Sequence, residues 1–421
     1  MNKNLKNMLN DNLCVGCGLC SSMYPEYFGL VLSKQGFYRA VLRNSPTNEV
    51  IGKLMKSCPA FVGRPSFSTD FELLKTQPLS FFGYSKRILI GYSTNQKLRY
   101  SASSGGALSA VLSMLLSEKK IDAVIHIGVS DNDPLLNEVK ISRNIQEVFQ
   151  FSGSRYAPAA TLSKIKEVLE SKMRFAFVGK PCEVAALRSF ISSDHSFDNK
   201  IVSYLSFFCA GTPSMRTVEK IPRLLGIDRE KIKDIRFRGE GWPGKLKIVT
   251  KTGDRVEMSY EESWGKHLGR SVQNRCKLCF DGIGESADVT FGDAWHLNKN
   301  FSIDFEEADG RNIIITRNSK GDQLLEEAVK LRLINIEMQL KNDDLLCKMQ
   351  PYQYERRGLI TTRYSAFRIF LLPKLSYPKN VFKEYSTHFS FRQKIRHFSG
   401  TSRRILKALY LRNDSRGKSN L

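Results

Sequence analysis

The chain has 421 residues, of which 41% are hydrophobic and 25% charged, and its formal net charge is +23. This composition is typical of a soluble globular protein with two or three domains, and the chain contains no internal repeat or low-complexity segment. Because no uncharged apolar run reaches 18 residues and the N-terminus lacks an apolar secretory segment, we expect a cytoplasmic protein without a membrane-spanning helix.

The positive charge is concentrated near the C-terminal end. Residues 352–421 contain 16 Lys and Arg against 3 Asp and Glu, a net charge of +13, whereas the first 351 residues carry +10. Such a segment favours acidic partners: nucleic acid, anionic lipid or an acidic redox protein. Within it, the Phe, Ile and Leu residues of 391–421 also suit contact with an anionic membrane surface, although a solvated basic extension explains the same pattern. Because no nucleic-acid-binding signature is present, we do not expect a nucleic-acid partner.

The hydrophobic pattern predicts a mixed α/β core behind a small cysteine-rich segment. The predicted strands lie at 87–93, 121–129, 174–179 and 200–209, then in a hairpin at 245–260, and within 287–295 and 311–318. The predicted helices lie at 105–120, 162–172 and 181–191. The fold class predicted from this alternation is α/β.

The first motif is CVGCGLCSSMYP, in which three cysteines have the C-x2-C-x2-C spacing of bacterial ferredoxins. In two-cluster ferredoxins the fourth cysteine of the run serves the other cluster; here that position is Tyr24, and no second run of this kind exists. Cys58, which Pro59 follows, supplies a fourth ligand instead. We therefore predict one [4Fe–4S] cluster at Cys14, Cys17, Cys20 and Cys58. A structural zinc site that uses the same thiolates is the alternative.

A second group of cysteines is scattered along the core. In a cytosolic chain these are not expected to form disulfides. Cys276 and Cys279 form a C-x2-C pair, and Cys182 and Cys209 each follow a predicted strand. Because strand ends at one edge of a sheet can converge, these four are a candidate second cluster site. A zinc-binding C-x2-C hairpin with two buried free cysteines explains the same pattern, and Cys347 is predicted to be a packing residue.

Residues 10–330 resemble the family of coenzyme F420 hydrogenase/dehydrogenase beta subunits, which includes 7-hydroxymethyl chlorophyll a reductase, and we expect a member of its bacterial branch. The resemblance rests on CVGCGLC, SASSGGALSAVL, SGSRYAP, VGKPCEVAALRSF, FFCAGTP and CKLCFDGIGESADVTFGDAW, in this order. It implies an iron–sulfur flavoprotein with FAD bound to an α/β domain, and it favours the second cluster at the four cysteines named above. Lys180 and Ala210 depart from the family pattern, which usually has threonine and histidine there.

On this resemblance the chain is divided into five segments. They are a ferredoxin-like [4Fe–4S] domain at 1–65, a linker at 66–84, a flavin-binding region at 85–170, a domain with the second cluster at 171–350, and a basic helical tail at 351–421.

The FAD site is predicted first around SASSGGAL, which lies between a strand and a helix. Ser103 and Ser104 suit a helix N-cap, and Gly105 and Gly106 allow the backbone to approach a pyrophosphate closely. An ordinary helix cap explains the same residues.

The other predicted FAD residues lie in two later segments. In GSRYAP, Arg155 is expected to pair with a phosphate and Tyr156 to stack on a ring, although a surface turn explains this sequence equally well. Gly179 and Lys180 are placed beside the flavin, where Lys180 would stabilise the reduced anion.

Together these features predict a flavin- and iron–sulfur-dependent oxidoreductase, because a flavin converts single-electron transfer from clusters into two-electron chemistry. The predicted electron partner is a ferredoxin-like carrier, which a basic surface suits. The substrate class stays open: a small molecule, a lipid-linked intermediate of polysaccharide biosynthesis reached at the inner face of the membrane, or the F420 coenzyme. The alternatives are a non-catalytic iron–sulfur redox sensor or electron-transfer subunit, and a zinc-stabilised scaffold.

Overall fold

The structure is a computed structural model that describes residues 13–61, 80–372 and 379–417, together with Leu5 and Leu9. The side chains of residues 379–381 and 407–417 and of His195 are not described. Most of the predicted linker at 66–84 therefore lies outside the described residues.

The strands and helices of the described residues alternate through most of the chain. The strands are β1 (Phe28–Leu32), β2 (Tyr38–Leu42), β3 (Arg87–Ser93), β4 (Ala123–Val129), β5 (Asn137–Ser142), β6 (Phe175–Gly179), β7 (Ile201–Phe207), β8 (Ile232–Arg236), β9 (Leu246–Thr250), β10 (Arg255–Met258), β11 (Val289–Asp293), β12 (Asn312–Thr316) and β13 (Ile334–Leu340). The α-helices are α1 (Leu19–Met23), α2 (Asn48–Ser57), α3 (Gln96–Ser101), α4 (Ala107–Ser117), α5 (Ile145–Gln150), α6 (Ile165–Glu170), α7 (Pro181–Ser192), α8 (Met215–Leu224), α9 (Asn274–Lys277), α10 (Ser319–Lys330), α11 (Asp344–Met349), α12 (Pro351–Gly358), α13 (Ile360–Ile369), α14 (Lys379–Thr387) and α15 (Phe391–Gly417).

An eight-stranded mixed sheet forms the centre of the fold, in the order β13-β3-β12-β11-β7-β6-β4-β5. Its middle strands β4, β6, β7 and β11 are parallel, and the flanking pairs are antiparallel. Parallel strands end at the same edge of a sheet, so the residues after Gly179, Phe207 and Asp293 lie on one side. β4 precedes the predicted segment boundary at residue 170 and β6 follows it, and these two strands pair. The central sheet therefore contains strands from both predicted segments, 85–170 and 171–350.

The mixed α/β class predicted from the sequence is confirmed. β3 has the predicted bounds, and the other predicted strands and helices of the sheet are present with ends shifted by a few residues. The predicted hairpin is formed by β9 and β10, which belong to a separate three-stranded sheet with β8. Alternating and continuous apolar runs identified these elements because their burial follows the same period.

The N-terminal segment is a β1–β2 hairpin with α1 and α2 beside it. Thr47 caps α2 by accepting a hydrogen bond from the Val50 N–H at 3.3 Å, and Val50, Ile51 and Leu54 turn into the core. This apolar face shares one hydrophobic cluster with residues of the C-terminal helices. The ferredoxin-like character of residues 1–65 stays a prediction.

The first part of the basic C-terminal segment is packed against the body rather than extended from it. Ile360, Tyr364 and Phe367 of α13 are buried, and the Tyr364 hydroxyl donates to the Leu278 carbonyl at 3.2 Å. The basic segment is therefore packed through α12 and α13, because the apolar residues among their basic ones complete the core. Within the described part of the chain, no helix has the length and apolar character needed to cross a membrane.

Candidate functional site

The four cysteines of the N-terminal prediction line one small cavity. Cys14 and Cys17 lie in the loop before α1, Cys20 lies in α1, and Cys58 follows α2. The loop depends on Gly16, whose φ is +73° and whose Cβ, if present, would lie 2.6 Å from the Tyr38 carbonyl oxygen. The glycine is therefore required by both conformation and space. We call these four residues the first cysteine set.

Backbone amides surround the sulfurs of the first cysteine set. The Gly16 N–H donates to Cys14 Sγ at 3.4 Å, and backbone N–H groups also donate to Cys17 and Cys58. Burial, and then the nearby Cys14, raise the pKa of Cys58 to about 12. Four thiolates that are buried or partly buried side by side are therefore costly unless bound cations compensate them.

The structure also brings together Cys182, Cys209, Cys276 and Cys279, which we call the second cysteine set. Cys182 is the second residue of α7, Cys209 follows β7 by two residues, and the other two lie in and just after α9. Burial, and then Cys276, raise the pKa of Cys209 to about 12, and Cys209 and Cys279 both act on Cys182. These thiols are therefore electrostatic neighbours.

Two further observations concern the cysteines. The Thr212 N–H donates to Cys276 Sγ at 3.4 Å, so the second set also receives a backbone donor. Cys347 lies within α11 and packs against the hydrophobic core. Among the described residues, no three His, Cys, Asp or Glu side chains are grouped in the way that would hold a single metal ion.

Two buried arginines lie between the cysteine sets, and the sequence did not predict them. Burial lowers the pKa of Arg39, whereas Cys14 of the first set and Cys276 of the second act to raise it. Arg275 donates to the Pro59 carbonyl through Nε at 3.2 Å and Nη2 at 3.0 Å. Its charge also interacts with Cys58 of the first set and with Cys279, Cys182 and Cys276 of the second set. Because Arg275 precedes Cys276 in the chain and Pro59 follows Cys58, these hydrogen bonds place the two sets side by side.

A cavity of about 490 Å³ opens at the carboxyl edge of the parallel strands. This size is typical of cofactor and small-molecule sites, which span roughly 300–1,000 Å³. Cys209 of the second set is part of its wall. Gly105 is not in the wall, because it packs against the backbone of Arg311 and Asn312. The predicted FAD residues that do line the cavity are Ser103, Ser104, Gly106, Arg155, Tyr156, Gly179 and Lys180.

The predicted N-cap role of Ser103 and Ser104 is wrong. The helix α4 begins later, with Gly106 at the N-cap in the left-handed conformation, φ +75°. Ser103 Oγ accepts a hydrogen bond from the Ser154 N–H at 2.6 Å, and Ser104 Oγ donates to the Arg311 carbonyl at 3.0 Å. The two serines therefore bind this loop to neighbouring segments. Because Gly106 adopts the left-handed conformation, the helix begins after Gly106 rather than at the serines.

Arg155 and Tyr156 are fixed by the protein itself. The Arg155 guanidinium donates to Asn137 Oδ1 at 2.8 Å and to the carbonyls of Pro134 and Ile235 at 2.8 and 2.9 Å. Burial lowers its pKa to about 10. A phosphate would compete with these contacts, so Arg155 primarily shapes the cavity. The Tyr156 ring packs against Trp264, with 4.7 Å between ring centroids.

Lys180 lies where the second cysteine set meets the cavity. Its Nζ is 2.7 Å from Glu183 Oε1, and the Glu183 side chain is only 2% exposed. Burial by itself would lower the pKa of Lys180, but Glu183 and then Cys182 hold it above its ordinary value. The Lys180–Glu183 ion pair therefore forms part of this wall of the cavity.

Sequence reasoning missed Arg238, whose loop carries no recognisable motif. Arg238 Nη1 pairs with Asp293 Oδ2 at 2.8 Å, and its guanidinium lies over the rings of Tyr260 and Trp295. All four residues line the cavity. Arg238 Nη2 and Asp293 Oδ1 are buried without a hydrogen-bond partner in the described structure. Buried polar atoms are rarely left unpaired, so this wall is suited to a polar ligand.

Comparison with known proteins agrees with this architecture. Residues 88–166 match the N-terminal part of the coenzyme F420 hydrogenase/dehydrogenase beta subunit, and residues 172–340 match its C-terminal part. Together the two regions cover more than half of the chain. The chain belongs to this family. Residues beyond 340, including α12, lie outside both matched regions.

The similar proteins include several archaeal ones. An uncharacterized protein of Methanocaldococcus jannaschii is 26% identical over 54% of this chain, and the coenzyme F420-dependent sulfite reductase of the same organism is 24% identical over 84%. The chain spans only 60% and 52% of the lengths of these relatives. The beta subunit of coenzyme F420 hydrogenase in Methanothermobacter thermautotrophicus is 23% identical over 59% of this chain and 83% of its own length.

A solved structure shares the fold. It is a chain of the F420-reducing [NiFe] hydrogenase complex from Methanosarcina barkeri, with a TM-score of 0.54 and 19% sequence identity. The similarity covers 71% of this chain and 98% of that chain. The comparison supports the mixed α/β architecture.

Proposed function

We propose that this family member is an iron–sulfur flavoprotein oxidoreductase, in which both cysteine sets and the cavity form one continuous path. The observation that carries the proposal is that the two cysteine sets have neighbouring residues in common, and that the second set and the cavity share a cysteine. Arg39 and Arg275 lie beside both cysteine sets, and Cys209 belongs both to the second set and to the cavity wall. Such adjacency is what electron transfer between cofactors requires.

The donor chemistry of each cysteine set fits an iron–sulfur cluster. Each set offers four thiols, buried or partly buried, and backbone N–H groups point at sulfurs in both. Hydrogen bonds to the sulfurs and a low-dielectric surrounding are the features by which proteins tune cluster potentials. When bound, a [4Fe–4S] cluster would supply one-electron transfer at each set.

The cavity fits a flavin dinucleotide by its size and its unpaired polar atoms. The backbone near Gly106 and Gly179 allows close approach, and Tyr156, Tyr260 and Trp295 provide aromatic surface. When bound, FAD would exchange one or two electrons and so connect the clusters with a two-electron substrate. Lys180 would hold a positive charge near the reduced cofactor and the cluster nearest to it.

We also propose a protein electron donor or acceptor at the first cysteine set. Cys20 and Cys58 are only partly buried, and Leu30 of their cavity belongs to β1, where the next residues, Val31 and Leu32, are exposed apolar side chains. A ferredoxin-like carrier fits this position. Because the names of several relatives refer to coenzyme F420, this coenzyme is the first two-electron partner to test. The lipid-linked substrate and the membrane contact stay predictions.

The deciding experiment is anaerobic purification followed by iron, labile sulfide, zinc and flavin analysis per chain. We expect about eight irons and one flavin, from two [4Fe–4S] clusters and FAD. Iron without flavin, even after reconstitution, would favour the redox-sensor alternative. Zinc without iron would overturn the electron-transfer proposal. With the loaded protein, reduction of added F420 by a reduced ferredoxin, followed by absorbance, tests the proposed partners.

A further inference from the structure

The C-terminal segment outside the family match reaches into the second cysteine set. Arg356 of α12 is 1% exposed. Its Nη1 donates to the Cys209 carbonyl at 2.6 Å, and its Nη2 donates to the Cys276 carbonyl at 2.7 Å. One guanidinium therefore joins two loops that are far apart in sequence, and each loop carries a cysteine of the set. The planar guanidinium can serve two acceptors in a fixed geometry, which a lysine ammonium cannot reproduce.

A glycine on the opposite side makes room for this contact. A Cβ at Gly282 would lie 2.5 Å from Arg356 Nη1 and 2.9 Å from the Cys209 carbonyl oxygen. The Gly282 carbonyl also accepts a hydrogen bond from the Cys209 N–H at 2.8 Å. The Cys209 loop is therefore held from both sides, and the site is shaped around the arginine.

The charge of Arg356 is not neutralised by a carboxylate. The adjacent Arg357, also buried, pairs with Glu285 Oε1 at 3.2 Å, whereas no carboxylate of the described residues forms an ion pair with Arg356. The side chains near Arg356 that can carry a negative charge are those of Tyr352, Cys279, Cys209 and Cys276. A buried cation requires a compensating charge, and thiolates of the second set are placed to provide it.

We propose that Arg356 is a positioning residue of the second cysteine set. It holds the loops of Cys209 and Cys276 at a fixed separation, and its charge favours the more negative, reduced state of a cluster bound there. The first role concerns the polypeptide alone, whereas the second rests on the proposed function.

The test compares R356Q and R356K with R357Q as the matched control. R357Q also removes a buried guanidinium from α12 but leaves both carbonyl contacts of Arg356 in place. Hydrogen–deuterium exchange of residues 207–213 and 273–280 measures how firmly the two cysteine segments are held. EPR-monitored redox titration measures the potentials of the two clusters. We expect about tenfold faster exchange in both loops of R356Q and R356K, because the bridging hydrogen bonds are lost.

The redox potentials of the clusters separate the effect of the Arg356 charge from the effect of its hydrogen bonds. In R356Q, reduction of the second cluster should become about tenfold less favourable, which for one electron is about 59 mV more negative. R356K keeps the charge and should retain most of the wild-type potential. The first cluster should not change in either variant. If R356Q fails to fold, R356K still tests the loops, and its retained potential tests the charge.

Two outcomes would overturn the proposal: unchanged loop exchange in R356Q and R356K, or equal changes of exchange and potential in R357Q. These are distinct from failure of the proposed function. If the wild-type protein binds no iron, the proposed function fails, whereas the exchange comparison still tests the loops. If both clusters are present and R356Q resembles wild type, the positioning role fails and the proposed function stands.

Discussion

The two cysteine sets are built in different ways. Three cysteines of the first set lie within Cys14–Cys20, a short segment in which Gly16 and Gly18 adopt positive φ angles. The second set is assembled from the start of α7, the loop after β7 and the α9 region, which the parallel strands bring to one edge. Its geometry therefore depends on long-range packing. We expect changes in the core to disturb the second set before the first.

The largest expected effect is the loss of one cluster at a time. C17S should remove the first cluster and C276S the second, each lowering iron by about four atoms per chain while leaving the other cluster. Iron analysis with EPR of the reduced protein would measure this. C347S is the matched control and should retain all the iron. Loss of both clusters in C17S would contradict the independence of the two sets.

The next effect concerns the ion pairs that flank the sets. K180M leaves Glu183 buried without its partner at the second set, which should cost roughly 3–5 kcal/mol of unfolding free energy. K53M, on the helix that precedes Cys58, breaks an exposed pair with Glu49, whose side chains are 36% and 76% exposed, and should cost under about 1 kcal/mol. Urea unfolding of the two variants measures the difference.

A double variant separates stability from function at the cavity. K180M/E183Q removes the unpaired carboxylate, so most of the lost stability should return. The flavin potential should lie about 59 mV more negative in K180M, equivalent to a tenfold change for one electron. It should return most of the way to the wild-type value in the double variant, because both charges of the pair are then absent. A wild-type flavin potential in K180M would exclude Lys180 from any role toward the cofactor.

A smaller effect should reveal the coupling between the sets. R39Q removes a charge that lies beside both, so it should make both cluster potentials more negative, by up to about 59 mV each. R356Q should shift only the potential of the second cluster. R99Q, which removes a buried arginine bound to the Gly310 carbonyl away from the cysteines, is the control for general destabilisation. Redox titration of the three proteins decides whether Arg39 is shared.

The smallest effect lies in the cavity wall, outside both sets. Burial lowers the pKa of His126 to about 4, below the ordinary value of about 6.5 for an exposed histidine. The unfolded chain therefore binds a proton first as the pH falls, and stability is lost below about pH 6.5. Between pH 7.5 and 5.5 this site should contribute a loss of about 1.4 kcal/mol. H126Q, compared by urea unfolding at the two pH values, should show a correspondingly smaller loss.

Much of the fold could be predicted from local pattern. The strand at β3 was predicted with its bounds because its apolar run is continuous and buried, and the β9–β10 hairpin was predicted from its turn residues. The start of α4 was misplaced, because Gly106 adopts a left-handed conformation that the serines before it do not reveal. The packing of α12 and α13 was hidden by their many basic residues, since net charge does not show which side chains are buried.

By itself the sequence predicted a common site for Cys14, Cys17 and Cys20, the α/β alternation and the family resemblance, because these depend on spacing within short segments. Only the tertiary structure decided which distant residues meet. It placed Arg39 and Arg275 between the two cysteine sets, Arg238 in the cavity wall and Arg356 across two cysteine loops. These arginines come from separate parts of the chain, and their positions follow from strand pairing and core packing, which no local pattern encodes.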